Sequence, residues 1–376
     1  MAGTFGTVGF FVALVVVIVV HEGAHFGVAK AFGIKVTEFF VGFGPRIWST
    51  HRGETEYGVK WIPAGGYVKI AGMNPYETVA PEEAARTFGA KPIWQRALVI
   101  VAGPGTHFVL AFVLFAIWLG FVGQPVAHDA RIDTVAPTLG GVASPAAAAG
   151  LQKGDRIVAL GGIQDPTDTQ LLEYTREHVG QPIPFVIERG GERFDVTLTP
   201  VLSTVNGEQV GRIGVILQWD RLVREETGIV GSLTGAGRFI GTALGDTVQN
   251  IARVFGPEGI GRVVRLVFTD APREPTDPAS VVGIGQLANQ TASGGNAGDL
   301  LFLFAVVNVF IGFLNLLPLP PFDGGHLAVL AIERLRGKAV DMRKVIPISV
   351  AVVAFFALFT LSVVYLDIVK PISLGP

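Results

Sequence analysis

Long apolar stretches without Asp, Glu, Lys or Arg recur along the chain and set the first expectation for its fold. Four stand out, at residues 5–20, 97–126, 301–322 and 345–366. Because a helix rises about 1.5 Å per residue, roughly 20 residues cross a hydrocarbon core of about 30 Å. The first stretch is shorter, and its helix is expected to continue to about Phe32. The pattern predicts a mainly α-helical membrane protein with four transmembrane helices.

Between the second and third stretches the pattern changes to short alternating segments, which predict a small α+β domain. Ser144 is expected to cap a short helix that begins at Pro145, and a second helical pattern covers 168–178. Strands are predicted at 155–160, 184–188 and 193–198, the last two as a hairpin. From Arg131 to Gln218 this order of elements resembles a PDZ domain.

Three further segments complete the predicted organisation. Residues 222–266 have the periodicity of amphipathic helices, and 271–280, rich in Pro and charge, are expected to be a linker. Residues 56–73 alternate apolar and polar positions around 63–66, which predicts a β-hairpin that turns there. The predicted boundaries are 1–32 for the first transmembrane helix, 33–95 for a loop with the hairpin, 96–127 for the second transmembrane helix, 128–220 for the PDZ-like domain, 221–299 for amphipathic helices and linker, 300–326 for the third transmembrane helix, 327–344 for a second loop, and 345–376 for the fourth transmembrane helix and tail.

Lys and Arg are concentrated in two connections, between the first and second apolar stretches and between the third and fourth. The positive-inside rule places both connections in the cytoplasm. Both termini and the α+β domain are then expected on the outer face of the inner (plasma) membrane. The first stretch lacks the basic residues that precede a cleaved signal, so we expect it to remain as a helix.

The composition agrees with a membrane protein and removes several classes of function. A mean hydropathy of +0.50 and 16% charged residues are too apolar for an ordinary soluble chain of 376 residues. The net charge of -2 provides no field for nucleic acid, and no nucleic-acid partner is expected. The chain has no cysteine, which excludes disulfides, thiolate metal ligands and cysteine catalysis. Any bound metal must be held by His, Asp or Glu.

The candidate chemistry lies at the end of the first apolar stretch, in the HEGAH sequence at 21–25. On a helix, the i, i+4 spacing places His21 and His25 on one face, where they can bind one zinc ion. Glu22, next to the first ligand, is then placed to take a proton from an activated water. Ionisable groups in a membrane helix are costly, which favours a function for these residues over simple pairing with solvent.

A catalytic zinc site needs a third protein ligand and an open position, and Asp323 is the strongest candidate. The first and third spans run in the same direction, so Asp323 and the two histidines fall at similar depth. Pro318 and Pro320 interrupt the helix before Asp323, and the unwound backbone there is expected to hold an extended substrate. The alternatives are that Asp323 is only a turn residue, or that His326, next to the flexible Gly325, is the ligand.

These motifs together resemble the site-2 protease family, in its bacterial branch with a PDZ domain between the second and third spans. The HEGAH sequence matches the zinc motif of that family. Residues 315–324 match its NxxPxPxLDG motif except for Phe322 in place of Leu. The order of GFGP at 42–45, GGY at 65–67 and SVVG at 280–283 resembles actinobacterial members.

The resemblance implies roles for individual residues. The implied zinc ligands are His21, His25 and Asp323, the implied general base is Glu22, and the implied substrate-binding residues include Asn315, Gly65 and Gly66. The hairpin at 56–73 is implied to lie against the membrane. One residue departs from the family, because His107 stands where Asn is usual in Gly-Pro-x-x-Asn. We expect His107 to hydrogen-bond a neighbouring helix, with direct zinc binding as the alternative.

The expected function is regulated intramembrane proteolysis by a zinc metalloendopeptidase. Its expected cofactor is Zn²⁺, and the chain is expected to be embedded in the lipid bilayer. The resemblance implies a single-pass membrane protein as substrate, such as an anti-sigma factor after a first cleavage. The alternative is a non-catalytic membrane scaffold or metal-handling protein that binds partners through its PDZ-like domain. Such a scaffold would not need Glu22.

Overall fold

The computed structural model describes residues 2–74, 76–139, 141–205, 208–274, 277–293 and 298–371. Residues 372–376 of the predicted tail therefore lie outside the described ranges. The chain divides into two compact units. The first, which we call the helical unit, consists of Met1–Trp118 and Ile229–Pro376, and the second, the β unit, of Leu119–Gly228.

The helices fall mainly in the helical unit. They are α1 (Ala2–Ala31), α2 (Ile93–Ile117), α3 (Pro145–Ala148), α4 (Asp168–Glu177), α5 (Ile229–Phe255), α6 (Pro257–Phe268), α7 (Val281–Ser293), α8 (Asp299–Asn315), α9 (Asp323–Arg336) and α10 (Ile346–Val369). Short 3-10 helices lie at Pro81–Arg86, Phe88–Ala90 and Met342–Lys344.

The strands fall mainly in the β unit. They are β1 (Val36–Arg52), β2 (Thr55–Ile70), β3 (Gln124–Val135), β4 (Thr138–Leu139), β5 (Val142–Ala143), β6 (Arg156–Leu160), β7 (Ile163–Gln164), β8 (Ile183–Arg189), β9 (Glu192–Leu198), β10 (Val201–Val205), β11 (Glu208–Arg212) and β12 (Val215–Glu225).

Three helices within the described ranges are long and apolar enough to cross a membrane, at Val8–Ala31, Ile93–Val122 and Met342–Val369. α8, with 17 residues, is a shorter apolar helix at the place of the third predicted span. It ends at Asn315, shortly before three prolines at 318, 320 and 321 that cannot donate a backbone N–H to a continuing helix. These apolar helices mark the chain as a membrane protein.

α2 lies at the centre of the helical unit and packs against α1, α5, α8 and α9. One buried cluster joins Ala111 and Phe115 of α2 to Ala236 of α5 and to Ala305 and Val309 of α8. Small residues at most of these positions let the helix backbones approach closely. The arrangement brings α1, α8 and α9, which carry the candidate site residues, around one helix.

β1 and β2 form a two-stranded sheet whose register corrects the predicted hairpin. Residues 39–41 of β1 pair with 57–59 of β2 and also with 66–68 of the same strand. The two halves of β2 therefore bind the same stretch of β1 instead of each other, and the turn predicted at 63–66 was wrong. The tight turn lies at Gly53 and Glu54, where Gly53 has a φ of 64°.

The segment predicted as helical from residue 222 begins as a strand. β12 continues to Glu225, and its residues Leu222 and Val223 pair with Ala127 and Val126 of β3. That part of the prediction was wrong because the alternation of the strand extends into the segment. Helices α5 and α6 follow from Ile229, as predicted for the remainder of the segment.

The β unit is built on a sheet with strand order β12-β3-β6-β8-β9, and β7 pairs with β6. Its core includes the fully buried residues Ile132, Ile157, Phe185 and Ile187. The hydroxyl oxygen of Ser144 accepts from the backbone N–H of Ala147 at 3.1 Å, which confirms the predicted cap of α3. The predicted helix at 168–178 and the hairpin of β8 and β9 are also confirmed.

Candidate metal centre

α1 runs without interruption through the HEGAH sequence to Ala31, so both histidines lie on a regular helix. The Nε2 atoms of His21 and His25 are 3.1 Å apart. Both side chains are nearly buried, with 12% and 11% of their surfaces exposed. The i, i+4 spacing thus brings the two imidazoles together as predicted.

Asp323 is the first residue of α9, and its carboxylate faces the two imidazoles. Its Oδ2 lies 3.3 Å from Nε2 of His21 and 3.4 Å from Nε2 of His25. Donor atoms bound tetrahedrally to zinc at about 2.0–2.1 Å are about 3.3–3.4 Å from one another. The three donors therefore have the spacing of three corners of a tetrahedral zinc site, and the donor set fits this metal.

Two glycines allow the start of α9 to lie against the irregular segment at 316–322. A β-carbon on Gly324 would be 2.2 Å from the carbonyl oxygen of Leu316, and one on Gly325 would be 2.4 Å from the backbone nitrogen of Pro320. Backbone atoms cannot move aside without disturbing the segment. In the Asp-Gly-Gly sequence, the candidate ligand Asp323 is therefore followed directly by the two glycines that let the start of α9 approach this segment.

The orientation of His25 is fixed by α2. Its Nδ1 is 2.7 Å from the carbonyl oxygen of Val99. Since a carbonyl only accepts, Nδ1 is the donor, and Nε2 of the neutral ring keeps its lone pair toward Asp323. This second contact selects the tautomer that a metal ligand requires.

His107 of α2 bonds two other helices. Its Nε2 is 3.0 Å from Nδ1 of His21, and its Nδ1 is 3.1 Å from Oδ1 of Asn308 in α8. The expected hydrogen bond to a neighbouring helix is therefore confirmed. Among the described residues, the cluster with metal-ligand spacing consists of His21, His25 and Asp323, and does not include His107.

Gly103 of α2 provides the space that the metal centre occupies. A β-carbon on this residue would lie 2.2 Å from Nε2 of His25 and 2.7 Å from Cε1 of His21. Any side chain here would overlap the donor atoms. The absence of a side chain at this position is therefore a requirement of the site.

Glu22 lies beside the second half of β2. Glu22 and Val68 of this strand line the same cavity. A β-carbon on Gly66 would be only 3.3 Å from Cγ of Glu22, so glycine allows the strand to pass close to this side chain. The second half of β2 thus packs directly against the Glu22 side chain.

A cavity of about 410 Å³ opens onto these groups. Besides the three candidate ligands and Glu22, its lining includes Tyr67, Asn315, Pro321, Phe322 and His326. His326 therefore borders the site but lies outside the cluster of ligand atoms. Asn315 lines the cavity from the last turn of α8.

Tyr67 is held in place by charged neighbours on the sheet. Its hydroxyl donates to Oε2 of Glu38 at 2.6 Å and accepts from Nζ of Lys60 at 2.8 Å. Partial burial would raise the pKa of Glu38, but hydrogen bonds from Tyr67 and Lys69 outweigh burial and lower this pKa. The ionised carboxylate keeps the Tyr67 side chain fixed at the cavity wall.

The remaining predicted site residues lie near the cavity without lining it. Pro318 and Pro320 belong to the irregular segment between α8 and α9, where Pro321 and Phe322 form the wall instead. A β-carbon on Gly65 would be 2.6 Å from Cε2 of Phe43, so this glycine serves close packing within the sheet.

Three contributors were not predicted from the sequence: Val99, Gly103 and Asn308. Val99 acts through its backbone and leaves no recognisable signal. Gly103 begins the Gly-Pro segment that leads to His107, but that segment does not indicate a role that depends on having no side chain. Asn308 does leave one, because it is an amide within the charge-free stretch 301–322, and polar groups in membrane helices usually have a function.

The sequence model of peptidase family M50 matches residues 9–360. The chain belongs to this family, which confirms the family expected from the HEGAH sequence and the Asp323 motif. The spacing of the three donor atoms, 3.1–3.4 Å, agrees with this membership.

Several known proteins are similar along nearly the whole chain. The zinc metalloprotease Rip1 of Mycobacterium bovis is 34% identical, with 98% of this chain and 98% of Rip1 covered. The zinc metalloprotease RasP of Geobacillus kaustophilus is 28% identical, with 96% of this chain and 97% of RasP covered.

A solved PDZ domain of an SdrC-like protein from Listeria monocytogenes matches 24% of this chain and 86% of the length of that domain, at 19% identity and a TM-score of 0.20.

Proposed function

We propose that the chain is a zinc metalloendopeptidase that cleaves membrane-spanning proteins. The observation that carries this proposal is the convergence of two Nε2 atoms and one carboxylate oxygen at 3.1–3.4 Å, with Glu22 lining the same cavity. Membership of family M50 and the names of the similar proteins support it.

In the proposed mechanism His21, His25 and Asp323 hold the metal. When bound, zinc activates water for attack and polarises the scissile carbonyl group. Glu22 accepts the proton that the attacking water loses, and it delivers this proton to the nitrogen of the leaving amine. The C–N bond breaks, and the products are a carboxylic acid and an amine.

Substrate binding is assigned to the irregular backbone next to the metal ligands. The segment 316–322 leaves amide and carbonyl groups outside a helical hydrogen-bond pattern, and Asn315 borders the cavity just before it. An extended peptide can pair with such groups, whereas a helical peptide bond is enclosed by its own turn. We assign supporting roles to Pro318 and Pro320, which keep the segment unwound, and to Gly65 and Gly66 in β2.

The proposed topology has four spans in the inner (plasma) membrane. α8 together with the segment up to Asp323 supplies the third span beside the three longer helices. The positive-inside rule and the Lys and Arg clusters support a metal centre toward the cytoplasmic side and an external PDZ-like domain at residues 128–220. A reporter fused after Gly337 should behave as cytoplasmic, and one inserted at Gly190 as external.

The sheet of β1 and β2 is proposed to lie against the membrane. Trp48, Trp61 and Ile62 are 59%, 67% and 53% exposed. Aromatic side chains of this kind are enriched where the bilayer meets water. Basic residues such as Arg46 and Lys60 on the same strands fit the cytoplasmic headgroup region.

The proposed substrates are single-pass membrane proteins, of which an anti-sigma factor trimmed by another protease is the expected example. The test is cleavage of a model single-pass substrate by the purified protein in detergent, with zinc content measured in parallel. Zinc-dependent cleavage that stops with a chelator and returns with added zinc is expected. Bound zinc without cleavage of any membrane-spanning substrate would favour the scaffold or metal-handling alternative.

A further inference from the structure

A chain of hydrogen bonds reaches His21 from the side opposite its candidate metal-binding atom. His21 Nδ1 is 3.0 Å from Nε2 of His107, and Nδ1 of His107 is 3.1 Å from Oδ1 of Asn308. Nδ2 of Asn308 then donates to the carbonyl oxygen of Phe304 at 2.8 Å. His107 and Asn308 are 2% and 1% exposed, so their polar groups depend on protein partners.

The carbonyl group of Phe304, at the end of this series of hydrogen bonds, determines which atom donates in each of them. The carbonyl of Phe304 can only accept, so the NH₂ group of Asn308 faces it and the amide oxygen faces His107. That oxygen also only accepts, which places the proton of neutral His107 on Nδ1 and makes its Nε2 an acceptor. The partner proton must then be on Nδ1 of His21.

The consequence appears at the metal centre. With its proton on Nδ1, neutral His21 has a free lone pair on Nε2, the atom that lies 3.3 Å from Asp323. The opposite tautomer would place a proton on that atom and prevent it from binding a metal. The tautomer of His21 in α1 is therefore determined by the side-chain amide of Asn308 in α8.

We propose that His107 and Asn308 are positioning residues, which set the tautomer and ring orientation of His21 so that its Nε2 is available to the metal. The proposal rests on the zinc site of the proposed function and adds two residues that do not line its cavity. His25 meets the same requirement directly through the backbone of Val99. His21 instead depends on two side chains, and these can be changed by substitution.

The packing of α2 against α8 supports the assignment. A β-carbon on Gly312 would be 2.9 Å from Cβ of His107, so glycine lets α8 approach α2 at this position. The close approach allows the short side chain of Asn308 to reach the imidazole of His107. A hydrogen bond that only joined two helices would not require the further contact between His107 and His21.

The test first changes Asn308, the side chain in the hydrogen-bond chain that is farthest from His21 and contacts no candidate ligand. Asn308→Leu keeps the approximate volume and removes the acceptor for His107, whereas Asn308→Asp keeps an acceptor oxygen. His107→Leu and His107→Gln form the matching pair one step closer, because a Gln oxygen can accept from His21. Val109→Ala, at an exposed position of α2, is the control. The dissociation constant for Zn²⁺ is measured in detergent by chelator competition, together with the melting temperature of each metal-free protein.

We expect the two Leu variants to raise the zinc dissociation constant about 10–100-fold, as loss of a ligand's supporting hydrogen bond does in other sites. Asn308→Asp and His107→Gln should bind zinc no more than roughly threefold more weakly than the parent, since the acceptor is retained. The absorption spectrum of Co²⁺ bound in place of zinc should change in the Leu variants alone. Parent-like affinity in both Asn308 variants, or equal weakening in both, would overturn the positioning role.

His25→Ala separates a failure of this proposal from a failure of the proposed function. It removes a candidate ligand and is expected to abolish tight zinc binding. If His25→Ala binds zinc like the parent, the metal centre is misassigned and the positioning role falls with it. If His25→Ala loses zinc while Asn308→Leu and His107→Leu keep it, the metal centre stands and only the positioning role is wrong.

Discussion

Gly103 of α2 lies so close to His25 that a β-carbon on it would be 2.2 Å from the Nε2 atom of the ring. Gly103→Ala is expected to displace the candidate ligands and to weaken zinc binding by about tenfold or more. Gly105→Ala is the matched control on the same helix, because its β-carbon would have nothing within 4 Å. Zinc titration of both purified variants checks the prediction, and equal affinities would contradict it.

Asp323→Asn is expected to weaken zinc retention, because a neutral amide oxygen is a poorer ligand for this ion than a carboxylate. His326→Ala is the matched comparison, since His326 borders the same cavity outside the ligand cluster. It should retain about one zinc per chain. Zinc content after gel filtration distinguishes the two, and loss of zinc in His326→Ala with retention in Asp323→Asn would reverse the assignment.

The parts of the site that the sequence predicted are those with a fixed local spacing or a place in a span. His21 and His25 meet because four residues make about one helical turn. Asp323 was expected near them because it ends a span that runs in the same direction as α1. The contribution of Gly103 could not be predicted, because it is the empty space that His21 and His25 of α1 require.

The parts of the fold that the sequence did not predict depend on partners distant in the chain. The alternation at 56–73 correctly indicated strand, but residues 57–59 and 66–68 pair with 39–41, which moved the turn to Gly53. The local spacing of apolar residues around Leu222 fits a helix, but Leu222 pairs with Ala127 in β3. Strand pairing is decided by such contacts more than by local preference.

In the β unit the buried Asp155 forms an ion pair with Arg189, whose side chain is 38% exposed. Burial would raise the pKa of Asp155, but two hydrogen bonds of 2.6 Å from Arg189 and one from the backbone of Gln152 lower it below its ordinary value. Because the folded-state pKa is the lower one, the stabilisation is present above about pH 4 and is lost as the pH falls through the folded-state value.

Asp155→Asn is therefore expected to reduce the opening free energy of the β unit at neutral pH by about 1.5–3 kcal/mol. Hydrogen exchange of the β6 and β8 amides in the full chain measures this quantity. Asp133→Asn is the control, because its ion pair with Lys153 is exposed and should contribute little. Equal exchange rates in the two variants would contradict the prediction, because they would show that the buried Asp155 contributes no more to the opening free energy than the exposed Asp133.

The most direct test of the central claim is the Glu22→Gln variant, measured for zinc content and for cleavage of a model single-pass substrate. The three candidate ligands are unchanged, while the group that accepts and returns the proton is lost. The account predicts about one zinc per chain and a fall in cleavage rate of about 100-fold or more. Cleavage at the parent rate with zinc bound would contradict the assignment of Glu22 as general base and, with it, the proposed mechanism.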